Sequence, residues 1–319
     1  MVLTVTMNPA VDREIYLEDF QVNKLHRIRD YTKTRMSPGG KGINVSIALS
    51  KLGIPSIAMG FVGGHMGRIL LEELRRTSHL ITTNFVHVDG ETRENIEIID
   101  EKRHTITEIN FPGPEIKKSD LEAFLRRYRT VLARANCVVI SGSLPLGVNE
   151  EVCAELVRMA KESGATVFVE LVPSIVEKML LAGYAPDVVK LDLRESGQTF
   201  FSRKLETFEV HVEIAEEIAS KSKLAILSYE VKNDVVALDG EVWVIKAREE
   251  IDLSHTLGAG DAYVAGMVYY FLKHGLKPLE MAKYGFAAAL ASTRMKEKTW
   301  PTLEAIEREL SFFDLERVK

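Results

Sequence analysis

Short apolar runs alternate with longer segments in which apolar residues recur at helical spacing, and this alternation continues along most of the chain. Apolar runs bounded by turn residues predict buried strands, and i, i+3, i+4 spacing predicts amphipathic helices. The predicted strands are Val2–Thr6, Ile57–Val62, Cys137–Ile140, Thr166–Glu170, Asp187–Leu191 and Leu224–Tyr229. The predicted helices include 43–52, 66–76, 119–134, 149–163, 210–221 and 279–295. This order predicts an α/β fold with a doubly wound, mostly parallel sheet flanked by helices.

Other segments alternate apolar and polar residues, as strands with one exposed face do. They are Glu14–Leu17, 26–35, Asn84–Val88, Arg93–Ile99 and Thr105–Asn110. Asp89-Gly90 predicts a hairpin within this set, and Asp239-Gly240 predicts another hairpin later in the chain. Consecutive antiparallel strands inside a β/α pattern indicate a separate small sheet. We therefore expect one domain, residues 1–319, with a small antiparallel β lid formed by about residues 14–36 and 84–111.

The composition is ordinary for a soluble globular protein, with 46% hydrophobic and 27% charged residues among 319. The formal net charge of −5 argues against a nucleic-acid-binding or anionic membrane surface. No apolar run approaches the roughly 20 residues that span a bilayer, and the start of the chain lacks the charged region of a signal peptide. Cys137 and Cys153 have no metal-ligand spacing, which favours buried thiols in a reducing compartment. We expect a cytoplasmic protein.

Four polar or glycine-rich loops are predicted at the carboxyl ends of strands, where open α/β sheets bind their ligands. These loops are Asn8–Asp12, Gly39–Asn44, Ser141–Pro145 and Gly258–Asp261. Asp12 is placed to accept hydrogen bonds from hydroxyl groups, although an Asx turn explains it equally well. Lys41 and Asn44 offer donors at a helix N-terminus, which suits a polyhydroxylated or phosphorylated ligand. The second loop is not a Walker A loop, because no Ser or Thr follows its lysine.

The loop Gly258-Ala259-Gly260-Asp261 directly precedes an apolar helix. Small residues let an anion approach the backbone, and the N–H groups of a helix's first turn point toward it. Asp261 would then be a carboxylate base beside an anion hole, an arrangement that serves phosphoryl transfer. Taken alone, the same residues are explained equally well by a tight turn followed by a favourable first-turn acid.

Two further pairs offer site chemistry with simpler alternatives. Arg93 and Asn95 lie two residues apart and so share one strand face, where the guanidinium of Arg93 could hold a phosphate. An exposed strand arginine is the simpler explanation. Asp192 and Glu195 lie three apart and could hold a magnesium ion, directly or through waters. A helix capping box has the same spacing.

The four loops, taken in their order along the chain, resemble the ribokinase-like (PfkB) family of carbohydrate kinases. The resemblance extends from Thr4 to about Ser292, and it depends most on Gly-Ala-Gly-Asp together with Gly39-Gly40-Lys41-Gly42-Ile43-Asn44-Val45. Three other motifs resemble the branch of the family that phosphorylates sugar phosphates. They are Thr6-Met7-Asn8-Pro9-Ala10-Val11-Asp12, Thr92-Arg93-Glu94-Asn95 and Ser141-Gly142-Ser143-Leu144-Pro145.

The resemblance implies a role for each matching residue. Asp261 would be the catalytic base, with the backbone of Gly258, Ala259 and Gly260 stabilising the transferred phosphoryl group. The implied substrate-binding residues are Asp12, Lys24, Gly39, Gly40, Lys41, Asn44, Arg93, Asn95 and Ser141. The implied nucleotide-binding residues are Lys190, Ser228, Glu230, Gly258 and Gly260, with Asp192 and Glu195 as metal ligands. The family further implies ATP, Mg²⁺ and a homodimer formed through the lid.

Two segments differ from the family's pattern. Asp192 stands where relatives carry an asparagine, which keeps an oxygen ligand and adds a charge. The segment from Ser228 to Asp234 replaces a glycine-rich turn beside the nucleotide, and it contains no glycine. Glu230 would repel the nucleotide phosphates there unless a metal ion or a lysine intervenes.

The activity implied is ATP-dependent phosphorylation of a ketohexose monophosphate to the bisphosphate. Fructose 1-phosphate, giving fructose 1,6-bisphosphate, is the first choice of substrate. Tagatose 6-phosphate and fructose 6-phosphate are the second and third. A sugar-phosphate-binding protein with a weakened nucleotide site is the alternative from another functional class, and it is motivated by the Ser228–Asp234 segment.

Overall fold

The computed structural model describes residues 1–193, 199–230, 232–252, 255–295 and 299–319. Within them the strands are β1 (Val2–Thr6), β2 (Ala10–Leu17), β3 (Thr34–Gly39), β4 (Ser56–Gly63), β5 (Ile81–Val88), β6 (Arg93–Asp100), β7 (Thr105–Ile109), β8 (Cys137–Gly142), β9 (Thr166–Leu171), β10 (Val188–Asp192), β11 (Thr199–Phe200), β12 (Arg203–Lys204), β13 (Leu224–Glu230), β14 (Asn233–Leu238), β15 (Glu241–Ala247) and β16 (Phe313–Arg317). The helices are α1 (Lys41–Lys51), α2 (Gly64–Thr77), α3 (Lys118–Leu132), α4 (Glu151–Glu162), α5 (Pro173–Leu181), α6 (Phe208–Ala219), α7 (Ala259–His274), α8 (Pro278–Thr293) and α9 (Leu303–Glu309), with a 3-10 helix at Tyr31–Lys33.

The large sheet has the strand order β16-β15-β14-β13-β10-β9-β8-β1-β4-β5. Its strands from β13 to β5 are parallel, and β14, β15 and β16 pair antiparallel at the other edge. Side chains alternate between two cores. Val138 and Ile140 pack with helices α3 to α6, whereas Cys137 and Val139 pack with α1, α2, α7, α8 and α9. The predicted doubly wound fold is confirmed.

A second, four-stranded sheet has the order β3-β2-β6-β7 and forms the lid. Its first strand, β2, follows β1 after the break at Asn8-Pro9, and β3 leads directly into α1. The lid pairs β2 with β6 in parallel and its other neighbours antiparallel. These two connections are short, and they place lid residues beside the carboxyl ends of the large sheet's strands.

Three details of the predicted lid are wrong. Asn84–Val88 belongs to β5, which pairs in parallel with β4 in the large sheet, because Phe85 and Val86 are buried in its two cores. Asp89-Gly90 therefore links two sheets and forms no hairpin. The segment 22–30 is not a strand, since Val22 and Leu25 face outward, and the lid strand begins only at Thr34. Asp12 lies within β2, and not on a loop.

The remaining sequence-based expectations about the core agree with the structure. Asp239-Gly240 forms the predicted hairpin between β14 and β15, with Leu238 paired to Glu241. Cys137 and Cys153 are free and buried, as expected, and burial raises the pKa of the Cys153 thiol to about 12. Among the described residues no helix combines the length and the apolar character that a bilayer crossing requires.

Candidate active site

The candidate site lies where β8, β9 and β10 end and where α1 and α7 begin. Ser141, Glu170 and Lys190 lie at or near the carboxyl ends of these adjacent strands. Each alternates with residues of the other core, such as Ile140, so all three side chains point toward α1 and α7. Strand alternation and strand order therefore bring polar groups from three separate strands together beneath two helix N-termini.

Asp261 lies in the first turn of α7 and is buried, with 6% of its surface exposed. Its Oδ2 accepts a hydrogen bond of 2.8 Å from Nδ2 of Asn44, which is also buried and lies in the first turn of α1. The amide fixes one carboxylate oxygen. Oδ1 of Asn44 has no hydrogen-bond partner among the described residues, so it can accept from a ligand hydroxyl.

The loop before α7 depends on Gly258, which has φ +76° and ψ 0° and forms the N-cap of the helix. A side chain there would be strained in this left-handed conformation, and its Cβ would lie 2.9 Å from Cη2 of Trp300. The N–H of Ala259 donates to the Thr256 carbonyl at 3.1 Å. Within the described chain the N–H groups of Gly258 and Gly260 donate to no backbone carbonyl. A ligand could therefore accept from the N–H groups of Gly258 and Gly260, whereas the N–H of Ala259 is already used.

Glu170 connects two lysines beneath this loop. Its Oε1 lies 3.0 Å from Nζ of Lys41 and 3.3 Å from Nζ of Lys190. Loss of hydration around the Lys41 ammonium group opposes its charge, but Glu170 and then Asp261 and Asp192 outweigh this effect and raise the pKa of Lys41. Burial likewise opposes the charge of Glu170, and the two lysines outweigh it and lower the pKa of Glu170. Lys41 and Glu170 are therefore ionised at neutral pH.

Asp12 and Asn95 form the lid's part of the site. They are paired in the register of β2 and β6, and Nδ2 of Asn95 donates to Oδ1 of Asp12 at 2.9 Å. Both side chains are buried, at 3% and 7% exposure. A Cβ on Gly39 would overlap the Asp12 carboxylate, at 2.2 Å from Oδ2, so glycine is needed beside it. Gly40, with φ +105°, then leads into α1.

Arg93 and Ser141 each present a buried polar atom that has no hydrogen-bond partner in the part of the chain described here. These atoms are Nε of Arg93 and Oγ of Ser141. Nη1 of Arg93 donates to the Phe111 carbonyl at 3.3 Å, and burial lowers the pKa of Arg93. Lys24, by contrast, lies on the exposed segment between β2 and β3, and among the described residues it makes no hydrogen bond or ion pair. The structure does not join it to the other site residues.

The comparisons with known proteins agree with this geometry. The profile described as "pfkB family carbohydrate kinase" matches residues 5–302. The chain belongs to the pfkB family of carbohydrate kinases. It is therefore a carbohydrate kinase, and a pfkB sugar kinase uses ATP.

Solved structures of pfkB kinases match over the whole chain. A Thermotoga maritima protein described as "Possible 1-phosphofructokinase" is 64% identical, with a TM-score of 0.97, and the match covers 100% of this chain and 99% of that one. Phosphofructokinase-2 from Escherichia coli, in complex with potassium, is 22% identical, with a TM-score of 0.85 and 98% coverage of both chains. This second likeness shows the shared fold alone.

Several of the residues that the sequence predicts for nucleotide and metal binding lie on β10 and β13. Asp192 pairs with Ser228 across these strands, and the Ser228 carbonyl accepts the N–H of Leu193 at 3.2 Å. The segment that lacks glycine forms a hairpin between β13 and β14, with a bulge between Ser228 and Glu230. Glu195, predicted as a metal ligand, lies outside the described residues, and the side chain of Glu230 is likewise not described.

The donor chemistry of these strands suits a magnesium ion held largely by phosphates. In the described ranges no group of three or more His, Cys, Asp and Glu residues is arranged to hold a metal. Mg²⁺ in phosphoryl-transfer sites commonly takes one or two carboxylates, with the remaining ligands from phosphates and water. Asp192 supplies such a carboxylate at the end of β10 and is close enough to act on the pKa of Lys41.

A cavity of about 230 Å³ opens near the loop before α7. Its lining includes His255, three residues before Gly258, and Leu290 and Thr293 on α8. Phe312 contributes an aromatic wall. The cavity is therefore close in sequence to the anion loop and has both apolar and polar surfaces.

Glu170 is the site residue that sequence reasoning missed, because the prediction treated it only as the end of a strand. A signal was present, since an acid follows the apolar run Val167-Phe168-Val169 where a parallel strand approaches the ligand edge. What the sequence does not contain is the neighbour relation between β8, β9 and β10 that brings Lys41 and Lys190 to the same oxygen.

Proposed function

We propose that this kinase transfers the γ-phosphoryl group of ATP to a hydroxyl of fructose 1-phosphate, giving fructose 1,6-bisphosphate and ADP. The observation that carries the proposal is the buried Asp261 carboxylate, held by Asn44 beside a left-handed glycine at a helix N-terminus. The choice of substrate is supported by the 64% identity to the protein described as a possible 1-phosphofructokinase.

In the proposed reaction Asp261 accepts the proton of the acceptor hydroxyl as its oxygen attacks the γ-phosphorus. The bond from that phosphorus to the β,γ-bridging oxygen breaks, and ADP leaves. The N–H groups of Gly258 and Gly260 stabilise the charge of the transferred group, together with the Lys41 and Lys190 cations. The hydrogen bond from Asn44 keeps Oδ2 oriented and leaves the base in one position.

We infer that the lid holds the sugar. Asp12 and Asn95 bind hydroxyl groups from one side, with Gly39, Gly40 and Asn44 on the other. The phosphate already on the sugar is bound by Arg93, Ser141 and Lys41, and Lys24 joins them only if its exposed segment closes over the site. The buried polar atoms of Arg93 and Ser141 support this assignment, since such atoms normally have a hydrogen-bond partner.

We infer that the nucleotide extends from the anion loop to the cavity near His255. The base occupies the cavity, and the phosphates lie beside Lys190 and Ser228. Asp192, with Glu195, would hold magnesium, which when bound neutralises phosphate charge and aids departure of ADP.

We further propose that two copies of the chain associate through their lids. Large apolar side chains are exposed on and next to the lid, and they include Val22 at 80%, Leu25 at 72%, Tyr31 at 86% and Phe111 at 46%. Large exposed apolar side chains in one region commonly mark an association surface. The Escherichia coli relative is described in a tetrameric inhibited form.

The replacement Asp261→Asn tests the reaction. We expect kcat to fall by about 10²- to 10⁴-fold, because the base is lost while the loop and the sugar contacts remain. Turnover is measured with a coupled assay on a panel of hexose monophosphates, with ATP and GTP as donors. Thermal stabilisation by fructose 1-phosphate should persist in the variant.

Asp120→Asn is the matched control, because Asp120 is also a first-turn acid of a helix but lies on α3. We expect unchanged turnover in that variant. Normal turnover of Asp261→Asn would disprove the proposed base. A wild-type protein that phosphorylates no member of the panel, yet binds the sugar phosphate, would support the binding-protein alternative.

A further inference from the structure

Glu170 occupies an unexpected position for an acid. It is 2% exposed, and a Cβ built on Gly260 would lie 3.1 Å from its Oε1, so the carboxylate lies directly beneath the anion-binding loop. A negative charge at this point repels a bound phosphoryl group. We therefore expect the Glu170 carboxylate to have a function that offsets this repulsion.

The two lysines bound by Glu170 come from different elements, α1 and β10. Lys41 opens α1, lies near Gly142 of β8 and belongs to the sugar side. Lys190 lies on β10, which neighbours β13, and belongs to the nucleotide side. Glu170 lies on β9 between them, where it is paired with Ser141. One carboxylate oxygen of Glu170 thus contacts a lysine on the sugar side and a lysine on the nucleotide side.

The ammonium groups of Lys41 and Lys190 differ in the other contacts that restrict their positions. Lys190 is 3% exposed, and its Nζ also lies 5.5 Å from the centre of the Tyr263 ring. The side chain of Lys41 is 46% exposed, so its flexible stem has freedom that Lys190 lacks. The hydrogen bond to Oε1 is what fixes the Lys41 ammonium group beside the anion loop. Without it, the two like charges would also repel each other.

We propose that Glu170 is a positioning residue that holds Lys41 and Lys190 on either side of the phosphoryl group in transfer. Because both lysines bind one oxygen, the distance between the two cations is fixed. The phosphates of the sugar and of ATP are therefore held at a fixed distance from each other. The carboxylate also keeps the pair at a net charge of +1, which limits their mutual repulsion. The assignment rests on the proposed kinase activity, because Lys41 and Lys190 act on its two substrates.

The test compares Glu170→Gln with Lys41→Met and Lys190→Met in steady-state kinetics. We expect Glu170→Gln to raise the KM of both fructose 1-phosphate and ATP by about tenfold, since a charge-assisted hydrogen bond is lost to each lysine. Lys41→Met should raise chiefly the sugar-phosphate KM, and Lys190→Met chiefly the ATP KM. In the Glu170→Gln/Lys41→Met double variant the sugar-phosphate KM should match that of Lys41→Met alone, because Glu170 acts through Lys41.

Asp187→Asn is the matched control. Asp187 is also 2% exposed and also binds two lysines, Lys161 at 2.6 Å and Lys223 at 3.1 Å, but it precedes β10 at the opposite end of the sheet. We expect that variant to lose stability and to keep both KM values. A Glu170→Gln enzyme with both KM values within about twofold of wild type would overturn the proposal and leave only a structural role.

The two proposals fail in different ways. A wild-type protein without kinase activity on any sugar phosphate contradicts the proposed function. The positioning inference is then tested by the dissociation constants of ATP and fructose 1-phosphate, measured by calorimetry on the same variants. Equal constants in wild type and Glu170→Gln would overturn it, and a rise in both would support it.

Discussion

The backbone of Gly258 combines two constraints at one residue. Its left-handed φ favours glycine, and the ring of Trp300 closes the space in which a side chain would lie. Trp300 is itself buried, at 8% exposure, so it has little room to move away. The anion loop is therefore fixed by packing as well as by conformation.

Gly258→Ala should separate these constraints when it is compared with Gly275→Ala. Gly275 has φ +78°, but nothing lies within 4 Å of a Cβ built there, so its replacement has only the backbone cost of about 1–2 kcal/mol. Gly258→Ala should cost more, and it should lower kcat by at least about tenfold because the loop N–H groups move. Denaturant unfolding and turnover assays measure both effects. Equal losses in the two variants would show that Trp300 does not constrain the loop.

At the residue scale, the sequence predicts a site residue best where its motif favours one function for that residue type. Asp261 behind small residues and Asn44 in a glycine-rich loop were predicted as site residues, and the structure joins them by a 2.8 Å hydrogen bond. The role of Glu170 could not be predicted, because it depends on which strands are neighbours. Lys24 shows the converse, since a resemblance to a family does not determine the path of an exposed segment.

At the scale of elements, Asp187 joins the start of β10 to its neighbours. Its carboxylate accepts hydrogen bonds from Lys161, from Lys223 and from the N–H of Val167, which opens β9 with Thr166. Burial alone raises the pKa of the Asp187 carboxyl. The hydrogen bonds outweigh burial and hold that pKa below its ordinary value. The charged form of Asp187 therefore stabilises the folded state.

Asp187→Asn should lower the free energy of unfolding by about 1.5–3 kcal/mol at pH 7, the range for hydrogen bonds to a charged group. A lowered folded-state pKa contributes stability above the unfolded pKa of about 3.9, and this contribution is lost as pH falls through the folded value. The difference in the free energy of unfolding between wild type and variant should therefore be constant from pH 7 to about pH 5. It should shrink below about pH 4. Urea unfolding at several pH values measures it. A difference that does not change with pH would contradict the account.

The two Asp-Gly turns show why element prediction succeeds or fails. Asp239-Gly240 joins strands that are neighbours in one sheet, so local turn chemistry was sufficient. Asp89-Gly90 follows β5, whose partner β4 lies on the far side of helix α2 in the chain. The residues of the turn therefore do not indicate that the preceding strand pairs in parallel with an earlier one. The strand at Asn84–Val88 was predicted correctly from its alternating pattern, but its assignment to the lid was wrong.

At the scale of the whole molecule, the exposed apolar surface of the lid predicts the mode of association. Leu25→Asp places a charge in that surface and should convert dimers to monomers, because a carboxylate would be buried without a partner. Light scattering after gel filtration measures the mass. Leu181→Asp is the control, because Leu181 is 66% exposed on α5, away from the lid. A wild-type monomer, or a dimer that persists in Leu25→Asp, would contradict association through the lid.

The edge strand β16 has a consequence for solubility. Asp314, Glu316 and Arg317 are exposed along this strand, which pairs with β15 on one side. Charged side chains on an edge strand disfavour the addition of further strands from other molecules. Concentrated solutions should therefore resist strand-by-strand polymerisation at this edge.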